Sequence, residues 1–132
     1  MLRIILGLAF TVVLLVACET KTEKSQETQA TPVQVIEKVG SDAFKNAIAA
    51  DESEYIILDV RTPAEFNSGT VPGAINIDFK DAGFESEVNT LDKNKTVYMF
   101  CQGGVRSSKA AAKMEMLGFT KIVELERGFS TY

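Results

Sequence analysis

The sequence predicts an α/β domain with a mostly parallel sheet, on three observations. A continuous apolar run at Tyr55–Leu58, as expected of a strand covered on both faces, a buried run over Thr96–Phe100 and a last stretch at Lys121–Leu125 read as strands. Segments with helix-start and helix-stop signals separate them. The repeated strand–helix spacing suits right-handed crossovers between parallel neighbours rather than hairpins. Ligands of such sheets gather beyond the carboxyl ends of the strands. Cys101 and Asp59-Val60-Arg61 both stand at such ends, so one face is expected to hold them together.

In chain order, residues 1–17 read as a signal peptide. Arg3 gives a positive start, and Ile4 to Val16 is apolar apart from Gly7 and Thr11. That run is shorter than the roughly 18–20 residues that span a bilayer. Its end, Leu15-Val16-Ala17-Cys18, resembles a bacterial lipobox, which implies lipid on Cys18 as the first mature residue. Residues 18–32 follow as a tether, with Ala30 the one apolar side chain between Glu19 and Pro32. Such a stretch buries too little surface to offset chain entropy and is expected to stay disordered, reaching roughly 20 Å. The folded domain is expected over residues 33–132.

Within it, Val33-Gln34-Val35-Ile36 alternates as an edge strand, and Ser41 is expected to cap a helix to about Ala50. Phe44 and Ile48 form that helix's inner face. Tyr55–Leu58 leads into Asp59-Val60-Arg61, after which Thr62-Pro63-Ala64-Glu65 spells a capping box with proline at the first helical position. Ala74–Ile77 is a third strand, and residues 81–90 a helix with Phe84, Val88 and Leu91 on one side. Thr96–Phe100 is the fourth strand. A helix from Ser107 to Leu117 packs Ala110, Ala111, Met114 and Leu117 inward and stops at Gly118, before Lys121–Leu125.

Composition narrows the function. Without Arg3, 13 basic and 18 acidic residues leave a net charge of −5, unsuited to binding nucleic acid through bulk electrostatics. The chain has no histidine, so no imidazole serves as base or metal ligand. Its two cysteines could form a disulfide in an exported protein, but lipid on Cys18 leaves Cys101 as a lone thiol.

Cys101 is the candidate nucleophile. It ends a buried strand, and Gln102-Gly103-Gly104-Val105-Arg106 then turns into a helix. No proline interrupts Cys101 to Arg106, so every N–H there can point at one anion. Gly103 and Gly104 can take the positive φ of a tight curl. From Cys101 through Met114 the charged residues are Arg106, Lys109 and Lys113, all positive. Helix N-termini and nearby cations lower a cysteine pKa from about 8.5 to roughly 3.5–7.5. Arg106 is expected to bind an anion, Arg61 to pair with Glu65 four residues on, and Asp59 to satisfy loop amides. Phe129 and Tyr132 are expected to pack.

Three motifs, in this order, carry a family resemblance: Leu58-Asp59-Val60-Arg61 with Glu65-Phe66, Val71-Pro72-Gly73-Ala74-Ile75-Asn76, and Cys101-x-x-Gly104-x-Arg106-Ser107. Together they resemble a single-domain rhodanese over about residues 33–132. The resemblance implies a central parallel five-stranded sheet flanked by helices and no cofactor. It implies a sulfurtransferase whose cysteine, Cys101, takes a sulfane sulfur from thiosulfate, polysulfide or a persulfide and passes it to a thiol or cyanide. The amides of Gln102 to Arg106 would cradle the persulfide, with Arg106 closing the loop. Expected partners are a small sulfur-containing anion, a thiol acceptor, and a membrane through Cys18.

Related phosphatases and arsenate reductases place arginine sixth after cysteine; here Arg106 is fifth, which favours sulfur transfer. The alternatives are a sulfur carrier with little turnover alone and, further off, a phosphatase or arsenate reductase. Many relatives have histidine where Thr70 stands, and thiosulfate users often carry a basic residue in the loop, where Gln102 and Gly103 are neutral. Where a tryptophan often follows the last glycine, Gly128 leads to Phe129. The lipobox places the protein in a bacterial envelope facing the periplasm. Glu19, in place of the aspartate linked with inner-membrane retention, points to the outer membrane.

Overall fold

Strand β4, Thr96–Phe100, is buried at all five residues because it is central in the sheet and covered on both faces. The computed structural model describes residues 34–132. The expected signal peptide, the tether and lipid-bearing Cys18 lie outside the described residues. Five strands run parallel in the order β1-β5-β4-β2-β3: β1 is Ile36–Val39, β2 Tyr55–Asp59, β3 Ile75–Asn76 and β5 Ile122–Leu125. This is the five-stranded parallel sheet implied by the resemblance.

Alternation along β4 sends Val97 and Met99 to one face and Tyr98 and Phe100 to the other. On the first face they meet Phe84 and Val88 of α3 (Phe84–Val88) and Ala110, Ala111 and Met114 of α4 (Val105–Met116). On the second they meet Phe44 of α1 (Ser41–Ala50), with Ala47 and Ile48 beside it. Helix α2, Pro63–Asn67, is a single capped turn at the carboxyl edge. Among the described residues no helix is long and apolar enough to cross a membrane.

Local signals placed most boundaries, and the departures have physical causes. The edge strand expected over Val33–Ile36 is found at Ile36–Val39 among the described residues, where pairing with Ile122–Leu125 sets its register; Val33 lies outside them. Gly40, extended at φ −73° and ψ 171°, is the N-cap of α1, so Ser41 is its first helical residue and makes no cap bond. The helix expected over 81–90 shrinks to Phe84–Val88, and the third strand to two residues, Ile75–Asn76. Helix α4 starts at Val105, two residues early, because Gly104 turns left-handed at φ 92° and serves as its N-cap. At the far end the Phe119 N–H reaches the Met114 carbonyl and the Gly118 N–H that of Glu115, with Gly118 at φ 94°. That is a Schellman stop, as Gly118 promised.

Candidate active site

Cys101 leaves β4 at its carboxyl end, and its loop is clamped from behind. A 3₁₀ turn at Phe129–Thr131 sends the Phe129 N–H to the Cys101 carbonyl (2.7 Å) and the Ser130 N–H to that of Gln102 (3.1 Å). Two glycines permit this approach. A Cβ on Gly128 (φ 67°) would lie 2.5 Å from the Cys101 carbonyl oxygen, and one on Gly104 would lie 2.2 Å from that of Glu126. Gly103 has no positive φ and open space where a Cβ would sit, so its expected left-handed turn is absent.

The loop curls its main chain around the sulfur. The Gly104 N–H reaches Cys101 Sγ at 3.1 Å, and the N–H groups of Gly103 and Ser107 face it too. Ser107, beyond the expected Gln102–Arg106 span, turns its hydroxyl to Glu124 Oε1 (2.7 Å) and the Gly104 carbonyl (3.1 Å). Burial pushes the thiol pKa up, but the Ser107 hydroxyl and these amides more than offset it, leaving the thiol below its ordinary value. Cys101 itself is 1% exposed. Gln102 and Val105 are exposed.

Both arginines are placed differently from the expectation. Arg106 grips Glu65 with two parallel bonds of 2.7 Å, so the side chain expected to bind an anion is committed to a carboxylate. Glu65 also accepts from the Thr62 N–H and hydroxyl, completing the capping box. Chiefly through Arg106, its carboxyl is held well below the usual carboxylate range. The expected Arg61–Glu65 pair does not form. Arg61 precedes α2 in an extended link, where helical i,i+4 neighbourhood does not apply.

Arg61 instead turns inward, 2% exposed, beneath the loop. Its Nε donates to both oxygens of Asp59 at 3.0 Å and its Nη2 to Asp59 Oδ2 at 2.7 Å. It also reaches the Gly69 carbonyl at 2.6 Å and Gln102 Oε1 at 3.0 Å, and lies 4.2 Å from the Phe129 ring centre. Asp59, fully buried, accepts the N–H of Arg61 in the loop after β2 and the Thr70 hydroxyl, each at 2.9 Å. Thr70, where many rhodaneses have histidine, is thus a structural donor. Asp59, Arg61 and Cys101 do share one end of the sheet, as their strand ends predicted. Among the described residues no cluster of three His, Cys, Asp or Glu could hold a metal ion.

Sequence reasoning passed over Ser107, Glu124 and Gly128. Ser107 was visible as the last residue of the loop motif. Glu124 was visible as an acid inside an otherwise apolar strand. Gly128 was visible as the glycine after the last strand, but its reason, contact with residues 101 and 102, was not.

A family profile described as the rhodanese-like domain matches residues 41–132. The chain belongs to the rhodanese-like family. This rhodanese-like protein is 34% identical over 93 residues to YrkF of Bacillus subtilis, provisionally named a sulfur carrier protein. The match covers 70% of this chain and 49% of YrkF, so the chain spans about half that relative's length. It is also 34% identical over 97 residues to Bacillus subtilis YtwF, provisionally named a sulfurtransferase, covering 74% and 90% of the two chains. A crystal structure of a rhodanese-like domain protein from Staphylococcus aureus superposes with a TM-score of 0.63 at 30% identity, covering 72% of this chain and 89% of that one.

Proposed function

We propose that this rhodanese-like domain is a sulfurtransferase that carries sulfane sulfur as a persulfide on Cys101. One observation carries the reading: the Cys101 sulfur lies among the N–H groups of Gly103, Gly104 and Ser107 at the start of α4. That arrangement stabilises a negative charge on sulfur through fixed main-chain dipoles, with no imidazole. In the first half-reaction the Cys101 thiolate attacks the outer sulfur of the donor. An S–S bond forms at Cys101, the donor's own bond to that sulfur breaks, and its electron pair leaves with the donor. In the second, an acceptor thiolate attacks the outer sulfur and Cys101 departs as thiolate.

The charges around the loop narrow the donor. Arg61 is matched by Asp59 and Arg106 by Glu65, while Gln102 and Gly103 are neutral. A persulfide or polysulfide therefore suits the site better than the thiosulfate dianion. An oxyanion substrate would need Arg106 free, which disfavours phosphatase or arsenate reductase chemistry. The burial of Cys101 favours a second reading, a carrier that turns over only when a partner opens the exposed Gln102–Gly103 stretch.

Incubation with polysulfide should add the mass of one sulfur atom to the wild-type chain, cyanide should remove it, and Cys101→Ser should show neither. No gain with polysulfide, persulfide or thiosulfate would refute the reading. Steady turnover with small donors and acceptors separates transferase from carrier. The same proposal places the protein on a bacterial envelope membrane, facing the periplasm, through lipid on Cys18. It rests on Arg3, the Ile4–Val16 run and Leu15-Val16-Ala17-Cys18, with Glu19 pointing to the outer membrane. Palmitate label that still enters Cys18→Ser would overturn it.

A further inference from the structure

Glu124 is a charged residue inside strand β5 with no exposure to solvent. A carboxylate that far from water is costly unless strong bonds hold it. Here they run to α4. Its Oε1 accepts the hydroxyls of Ser107 and Ser108, each at 2.7 Å. Both serines stand in the first turn of that helix, and Ser107 is itself fully buried. The other oxygen, Oε2, has no hydrogen-bond partner among the described residues. It faces Lys38 of β1, its half-exposed register partner, whose Nζ lies 3.5 Å away and donates to the Ser108 hydroxyl oxygen at 2.9 Å.

The same turn carries the amide that meets the nucleophile. Gly104, the N-cap of α4, donates its N–H to Cys101 Sγ at 3.1 Å. Its carbonyl takes the Ser108 N–H at 3.1 Å and lies 3.1 Å from the Ser107 hydroxyl and 2.8 Å from that of Ser108. Each hydroxyl has one proton to give, and a carboxylate is a stronger acceptor than a carbonyl. Both protons therefore go to Glu124, and the Gly104 carbonyl keeps its main-chain helix bond. Without the carboxylate the two hydroxyls turn back onto that carbonyl, a pattern that bends helices. Strand β5 reaches Gly104 by a second route, because a Cβ on Gly104 would lie 2.2 Å from the carbonyl oxygen of Glu126. The sulfur stands at the end of β4, the strand beside β5.

We infer that Glu124 is a positioning residue for Cys101: by holding the Ser107 and Ser108 hydroxyls it seats the first turn of α4 against β5 and keeps the Gly104 N–H on the sulfur. This rests on the reading of Cys101 as the sulfur-carrying residue. It needs no contact between either hydroxyl and the sulfur, and no covalent bond changes. A donor held in place in advance stabilises the anion without reorganising when charge arrives. The carboxylate has an opposite effect as well, because its own negative charge disfavours a thiolate nearby. The two effects separate when charge and hydrogen-bond acceptance are removed one at a time.

The other charged groups around the turn are paired: Arg106 of α4 with Glu65 of α2, and Arg61 with Asp59 at the end of β2. They and Lys38 stay unchanged in every variant below.

The test is a pH titration of thiolate absorbance in the full chain carrying Cys18→Ser, with the Cys101→Ser chain subtracted to remove the tyrosines. Glu124→Gln removes the charge and keeps an oxygen that accepts both hydroxyls. Glu124→Leu removes the same charge and the acceptor together, at similar size. The Cys101 midpoint should therefore be higher in the leucine variant than in the glutamine variant by about one pH unit, the scale of one hydrogen bond to a charged atom. A role in stability alone would lower the melting temperature of Glu124→Leu and leave the two midpoints equal. Ser108→Ala, which deletes one of the two bonds away from the sulfur, should raise the midpoint in the glutamine chain and leave the leucine chain unmoved. If the leucine variant does not fold, the rise on adding Ser108→Ala to the glutamine chain decides the matter. Equal midpoints in the glutamine and leucine variants, or no rise with Ser108→Ala in the glutamine chain, overturns the inference. Thiolate titration needs no sulfur donor, so a wild-type chain that never gains sulfur would refute the proposed function and leave this result readable.

Discussion

Replacing Arg61 by methionine tests how the loop is supported. The substitution keeps most of the side-chain length and removes the guanidinium. What it strands is Asp59, fully buried, with the Arg61 N–H and the Thr70 hydroxyl as remaining donors at 2.9 Å each. Breaking a buried pair in this way costs about 3–5 kcal/mol, most of it the uncompensated charge left behind. The contact over Phe129 and the bonds to Gly69 and Gln102 go as well, so about 4 kcal/mol is a central value. In a domain of about 100 residues that lowers the melting temperature by roughly 20 °C. Urea unfolding should be followed in wild type, Arg61→Met, Asp59→Asn and the double variant. Each single change should lose several kcal/mol, and the double should lie within about 1.5 kcal/mol of wild type, because no unpaired charge remains. A loss below about 1.5 kcal/mol in Arg61→Met, or a double variant equal to the sum of the singles, would refute the account.

Two further outcomes follow from the same geometry. Gly104→Ala puts a Cβ 2.2 Å from the Glu126 carbonyl oxygen at φ 92°, so it should cost roughly 3 kcal/mol or more and abolish sulfur uptake, whereas Gly103→Ala should keep both by thermal melting and intact mass. Glu65 has a folded-state pKa below its unfolded value of 4.5, so its contribution is present above about that pH and is lost as pH falls below it. With the carboxylate 31% exposed the contribution is about 1 kcal/mol, and Glu65→Gln should remove that part of the acid sensitivity between about pH 5 and pH 2 in urea titrations.

What could be read from the sequence was whatever a few consecutive residues decide. The five buried residues of β4, the Thr62–Glu65 capping box with Pro63 at its head and the Gly118 stop are set by local backbone preference and hydrophobic period, and they appear where the residues placed them. With them came the parallel α/β class and the meeting of Cys101, Asp59 and Arg61 at one sheet end. Tertiary structure decided the pairings. Glu65 was within reach of two arginines, and only the approach of α4 to α2 gave it Arg106 and left Arg61 to Asp59. The Val35–Ile36 region could alternate in more than one register until β5 supplied a partner. The burial of Cys101, the glycine at 128 and the carboxylate of Glu124 behind the loop all depend on segments 16 or more residues apart closing on one another. Side-chain charge and hydrogen bonding act through space, and distance in space is what one-dimensional spacing leaves open.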